Sequence, residues 1–366
     1  EDALKKITSL RMKNGMSPLS VFSLSSAVSA FPSYYQPILT SLKNTISVKL
    51  WDKLRYTKFK EDEHKILLID SGYFLIREVE RAIRASGHSL TKIEIRKDNG
   101  GRDLIPKFVE AILNVKPDFI LTINHLGFDE DGVLASFLRS IEMPSASWYV
   151  DSPNLIVRAF EKNVSPFVSL FLWDRCYSDD MKMLGFESVE YLPLGTDETV
   201  FTPMNRGNKK IIRNLCDVGF VGNSMVQPAK EWTEKVHKDA RLLIDKMSDM
   251  LVRTQGVLAP VYQELENDEQ SVINGMDQKE RMQFEAALFW KATLQYRLSC
   301  VKMLKGFDVK IHGDSGWKEL IDIREFALLP PLNYYKELPL FYNASRINFN
   351  ATSLQMRQTV NQRVFD

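Results

Sequence analysis

The chain's 366 residues exceed what one ordinary core closes, since single domains mostly span about 100 to 200 residues, so two lobes are expected. Its apolar share of 44% and charged share of 26% match an average globular protein, which excludes disordered, collagenous and fibrous classes. Forty-eight Lys and Arg against 47 Asp and Glu leave a net charge of +1, so no overall field draws polyanions and nucleic acid is not an expected partner.

The cysteines, Cys176, Cys216 and Cys300, stand far apart with no CxxC pair. This argues against a disulfide framework or a cysteine-rich zinc site and fits a reducing, cytoplasmic setting. No run approaches the roughly 18 apolar residues of a membrane span, and the first residues lack the layout of a secretory signal. The chain starts at Glu1 and stops at Asp366 inside what reads as a helix, so it is expected to be a fragment.

Residues 1–64 mix short apolar patches with serine and aromatic clusters and are read as a mostly helical N-terminal extension. From Lys65 the pattern changes. Ile66–Ile69 reads as a buried strand, Asp70-Ser71-Gly72 as a turn, and Tyr73–Ser86 as a helix ended by Gly87. Further strands are predicted at Lys92–Ile95, Asp118–Ile123, Ala146–Val150, Val168–Leu172 and Val189–Leu192, with helices at Leu104–Leu113, Asp131–Ser140 and Ser178–Leu184. Such alternation packs as a parallel sheet covered on both faces, and this first Rossmann-like lobe is placed at 65–205.

A polar linker, Pro203–Lys210, precedes a second alternation beginning with Val218–Val221, so the second Rossmann-like lobe is placed at 206–366, incomplete at its C-terminal side. A helical insertion is read over 228–305, with Ala287, Leu294, Leu298 and Val301 on one face. Strands resume at Val309–His312 and Arg346–Phe349. Thr352-Ser353-Leu354-Gln355 then spells a capping box, and Met356, Val360 and Val364 repeat every four residues, which predicts a helix from Ser353.

In open parallel sheets, ligands gather at strand carboxyl ends, which directs attention to the loops there. A GxGxxG fingerprint and a GxxxxGK phosphate loop are both absent, and the five histidines show no HxH or HExxH spacing, so no metal is expected. His125 follows the strand Phe119–Ile123 by one residue and suits a base or a sugar-hydroxyl ligand, or equally a loop tie. Asp129 lies just beyond it. Asp70 and Asp151 each close a strand, as polar ligands or as turn formers. Gly222-Asn223-Ser224 and Gly313-Asp314-Ser315-Gly316 permit close approach to a diphosphate, or are simply turns. Arg357 and Arg363 offer charge to a diphosphate, or a solvated helix face.

Six strings, Ile66–Tyr73, Pro117–Asp129, Ser147–Pro153, Tyr191–Leu194, Phe220–Ser224 and Val360–Asp366, taken together and in this order, resemble the CgeB-like, DUF3880-containing glycosyltransferases of bacteria. The resemblance covers 65–366 and is least distinct over the insertion. It implies a GT-B fold, two Rossmann-like lobes facing a cleft, with the acceptor mainly on the first lobe, a nucleotide-sugar donor mainly on the second, and no obligatory metal or other cofactor. The catalytic set expected on that basis is His125, Asp129 and Asp151, with Asp70, Ser71, Gly72 and Tyr73 on the acceptor side. The donor side draws on Gly222, Asn223, Ser224, Gly313, Asp314, Thr352, Ser353, Arg357, Arg363 and Asp366. Two departures stand out. Asn223 follows Gly222 where the large retaining class often has a basic residue, and Gln358 and Asp366 occupy the spacing of its paired glutamates. These departures support the alternative, a non-catalytic two-lobed binding or scaffold protein.

Overall fold

The computed structural model describes residues 2–16, 24–95, 101–155, 161–205 and 207–366. The chain forms two compact units, one ending at Thr57 and one running from Lys58 to Asp366. Helices Asp2–Lys13, Leu24–Ala30 and Pro32–Leu54 make up the first unit.

Among the described residues of the second unit, ten strands form two sheets. The six-stranded sheet has the order β2-β1-β3-β4-β5-β6, from β1 (Lys65–Asp70), β2 (Ser89–Glu94), β3 (Phe119–Ile123), β4 (Ser145–Tyr149), β5 (Val168–Leu172) and β6 (Ser188–Tyr191). Every neighbouring pair is parallel. A parallel sheet is covered on both faces, so its strands carry near-continuous apolar runs. Accordingly, Ile66, Leu67, Leu68 and Ile69 of β1 are all buried. The covering helices bury residues one turn apart: Leu104, Phe108 and Ile112 from Gly101–Val115, and Leu134 and Leu138 from Val133–Ser140. The helix Ile76–Ala85 buries Ile76 and Val79.

The four-stranded sheet, also fully parallel, has the order β10-β7-β8-β9, from β7 (Cys216–Val221), β8 (Val309–His312), β9 (Ala327–Leu329) and β10 (Ser345–Phe349). The architecture is thus α/β with two Rossmann-like parallel sheets. Between β7 and β8 the chain leaves the sheet for consecutive helices from Val226–Lys235 to Gln278–Lys302. This insertion has a core of its own, in which Met247 and Leu251 of helix Lys238–Arg253 meet Phe284, Leu288 and Ala292 of the long last helix. Asp277 starts that helix with a reciprocal cap, accepting from the Glu280 N–H at 2.8 Å while its own N–H donates to the Glu280 carboxylate at 3.0 Å.

The helix expected from Ser353 does not form. Residues 351–361 are irregular, and a short helix occupies Gln362–Phe365. The four residues that spell a capping box find partners elsewhere. The Ser353 hydroxyl bonds the Thr293 hydroxyl of the insertion at 3.2 Å, the Thr352 hydroxyl accepts from Asn350 at 2.8 Å, and the Gln355 side chain reaches the first lobe. Asp174, after β5 and fully buried, accepts the backbone N–H groups of Arg357 at 2.8 Å and Gln358 at 3.2 Å. A helix at this point would withdraw those groups from the carboxylate. Among the described residues no helix is long and apolar enough to cross a membrane.

Candidate functional site

The segment following β10 crosses between the lobes, and the carboxyl ends of strands from both sheets meet it. On the first-lobe side Asp151, directly after β4, forms the centre of a polar network. Its Oδ2 accepts from the Tyr73 hydroxyl at 2.5 Å and from the Asn124 amide at 2.8 Å. The Asn124 carbonyl oxygen in turn accepts the Val150 and Asp151 N–H groups at 2.9 and 3.2 Å. Gln355 completes the contact between lobes, since its side-chain oxygen accepts from the Ser152 N–H at 3.4 Å and its amide lies 3.5 Å from Asp151 Oδ1. The Tyr177 hydroxyl donates to the Gln355 carbonyl. Burial first, then the Asp151 carboxylate, raises the Tyr73 phenol pKa, so Tyr73 remains a hydrogen-bond donor to Asp151.

His125 sits beneath this network. It is only 1% exposed, its ring stacks on Phe128 at 4.0 Å, and burial pushes its pKa down to about 3, keeping it neutral. Asn124 and His125 both adopt left-handed backbone, with φ of 52° and 59°, a conformation such residues hold when their surroundings over-determine it. Asp129 caps the helix Val133–Ser140, its two oxygens accepting the Val133 and Leu134 N–H groups at 2.9 Å each. Asp70 accepts the Gly72 N–H at 3.0 Å, with Gly72 at φ 71°, and pairs with Lys92 at 3.3 Å, so it shapes the turn that also holds Ser71. Of the residues expected on the first lobe, Asp151 from the catalytic set and Tyr73 from the acceptor side are brought together at the junction of the lobes.

On the second-lobe side the two glycine loops touch each other. Trp317 donates its indole N–H to the Gly222 carbonyl at 2.8 Å, and a Cβ on Gly313 would collide with that carbonyl and with the Trp317 ring. Of the loop N–H groups expected to meet a diphosphate, those of Gly222, Gly313 and Ser224 are already engaged, the first two by the His312 and Leu329 carbonyls. That of Ser224 donates to Asp314 at 3.0 Å, that of Met225 to Asn223 at 2.6 Å, and that of Val226 to the Ser224 hydroxyl at 3.2 Å. Close packing of two strand ends explains these glycines without a ligand.

Positive charge at this end comes from arginines. Arg297, on the last helix of the insertion and only 5% exposed, ties the ends of β7 and β10 together. Its Nη1 donates to the Asn223 carbonyl at 2.9 Å and its Nε to the Ala351 carbonyl at 3.1 Å. Burial, and then the nearby charge of Arg363, push its pKa down to about 10, with Asp314 acting in the opposite sense. Burial likewise lowers the pKa of Arg363, against the electrostatic pull of Tyr342, Asp366 and Tyr334. Among the described residues neither guanidinium has a carboxylate oxygen within 4.0 Å. Asp366 accepts from Tyr334 at 2.9 Å, from Gln362 at 2.8 Å and from Thr196 of the first lobe at 3.1 Å, and burial raises its pKa. At the carboxyl ends of β8 and β9 lies a cavity of about 240 Å³ lined by Gly313, Asp314, Lys318, Leu328 and Pro330.

Arg297 was not among the sequence candidates because it lies in an apolar helical run. The helix buries Phe289, Thr293, Arg297 and Cys300, whereas Leu294 and Leu298, expected on the packing face, are only partly buried. That spacing of four, four and three was the available signal. Among the described residues no three His, Cys, Asp or Glu side chains gather in a way that could hold a metal ion. No family model, curated protein or solved structure matches the chain.

Proposed function

We propose that the protein is a glycosyltransferase of GT-B type that moves a sugar from a nucleotide-diphosphate donor to an acceptor held on the first lobe. The observation that carries this reading is the pair Arg297, buried, and Arg363, half-buried, two cations at the carboxyl end of the second sheet, opposite the first, that among the described residues have no carboxylate oxygen within 4.0 Å. Buried like charges of this kind are costly unless an anion joins them, and a diphosphate supplies one whose negative charge grows as the glycosyl bond breaks. One ring of the nucleoside fits the cavity beside Gly313, where Leu328 and Pro330 offer apolar walls and Lys318 a cation. Asp151, oriented by Tyr73 and Asn124 at the junction, serves the acceptor hydroxyl. His125, neutral and enclosed, supports the loop beneath it. The resemblance to the CgeB-like family points the same way.

The test is donor hydrolysis or transfer across a panel of nucleotide sugars, comparing wild type with Arg363→Ala and Asp151→Asn. Turnover should appear with at least one donor. Arg363→Ala should reduce it about 10- to 100-fold, the equivalent of one charge-assisted hydrogen bond of about 1.5–3 kcal/mol. Nucleotide-sugar binding without turnover under every condition would favour the non-catalytic two-lobed binding protein.

A further inference from the structure

We propose that a second small-molecule site lies between the helical insertion and the carboxyl ends of β4 and β5, and that it takes a single-ring polyol carrying one carboxylate. A cavity of about 280 Å³ opens there, just under the range of drug-sized ligand pockets, about 300 to 1,000 Å³. One sugar-sized ring therefore fits. Asn154, Tyr177 and Asp180 form one wall, Tyr262 and Glu285 of the insertion face them, and Arg357 of the crossing segment closes the end. The insertion is seated directly on that segment at Gly256. Its φ is 85° and a Cβ there would collide with the Leu354 carbonyl, so this wall is fixed by backbone contact.

The charges in the cavity define the ligand. Arg281 pairs with Glu285 at 3.0 Å and lies over the Tyr262 ring at 4.5 Å, while the Tyr262 hydroxyl donates to the same carboxylate at 3.1 Å. That corner is internally neutral. Arg357 lies over the Tyr177 ring at 5.1 Å and has no carboxylate oxygen within 4.0 Å among the described residues. Asp180 accepts from the Asn154 amide at 2.8 Å and, among the described residues, has no Lys, Arg or His nitrogen within 4.0 Å. Arg357 feels the Asp174 carboxylate at longer range, and its guanidinium and the Asp180 carboxylate are the charges this side of the cavity offers a ligand. A ligand carboxylate answers Arg357 with a two-pronged hydrogen bond, and ligand hydroxyls donate to Asp180. The Tyr177 and Tyr262 rings give the flat faces on which a sugar ring rests. A phosphate brings a second negative charge toward Asp180 and is disfavoured, and a neutral sugar leaves Arg357 unanswered.

That such a ligand is the acceptor rests on the glycosyltransferase reading, but its binding does not. The experiment is calorimetry with D-glucuronate, D-glucose and glucose 6-phosphate as probes, on wild type, Arg357→Gln and Asp180→Asn, with UDP titrated separately. Glucuronate should bind at least tenfold more tightly than the other two. Arg357→Gln should weaken it about tenfold, and Asp180→Asn should admit glucose 6-phosphate. Absence of glucuronate binding, equal binding of all three probes, or full binding to Arg357→Gln would overturn the proposal. Glucuronate binding that behaves as described in a protein that binds no nucleoside diphosphate would support this site and count against the transferase reading.

Discussion

A histidine whose protonation is held off by burial links stability to pH. His125 has its pKa held near 3 by burial, whereas a histidine in an unfolded chain titrates near 6.5. Between those values the unfolded chain binds a proton that the folded protein does not. The stability His125 provides is therefore complete above about pH 6.5 and lost as pH falls toward 3, by up to about 1.4 kcal/mol per pH unit. His125→Asn tolerates the left-handed backbone and cannot titrate. The variant should be less stable at pH 7, because the stack on Phe128 is lost, but should lose less stability than wild type between pH 6 and pH 4, as measured by urea midpoints. Parallel pH dependences would contradict this account of His125. The sequence marked the position but could not show its burial, since a strand-end histidine is equally suited to lining a cleft or filling the space under a loop. Arg297 was hidden for the converse reason: an arginine in an apolar helix reads as a solvated residue until its neighbours are known.

At the scale of elements, β1 and β3 were legible because each is a short apolar run bounded by Asp or Pro, Ile66–Ile69 ending at Asp70 and Phe119–Ile123 following Pro117-Asp118. The three-residue strand Ala327–Leu329 is too short to leave such a pattern. The crossing segment misled the sequence reading for a different reason. Its local signals favour a helix, but the Arg357 and Gln358 N–H groups are taken by Asp174, about 180 residues earlier in the chain, and a long-range partner of this kind leaves no local trace. That carboxylate also accepts the Cys176 N–H at 3.0 Å. Asp174→Ala removes the acceptor for three backbone donors, each costing about 1–3 kcal/mol when left buried and unpaired. A loss of about 3 kcal/mol or more in denaturant unfolding is expected, together with faster proteolysis within 351–361. A loss under about 1 kcal/mol would show that the segment is held by other contacts.

At the scale of the second unit, two parallel sheets direct their strand carboxyl ends at one crossing segment. Chemistry-bearing groups collect on both sides of it, Asp151 and Tyr73 on one, Arg297 and Arg363 on the other. The insertion contributes to both sides, through Arg297 at the second sheet and through Tyr262, Arg281 and Glu285 facing the first. The central claim is that the two arginines receive a diphosphate, and titration of UDP, GDP and ADP against the corresponding nucleosides measures it most directly. At least one diphosphate should bind tenfold or more tightly than its nucleoside, with that advantage lost in Arg363→Ala. If no diphosphate binds better than its nucleoside, or if Arg363→Ala retains the full preference, the arginine pair is not a diphosphate site and the account fails.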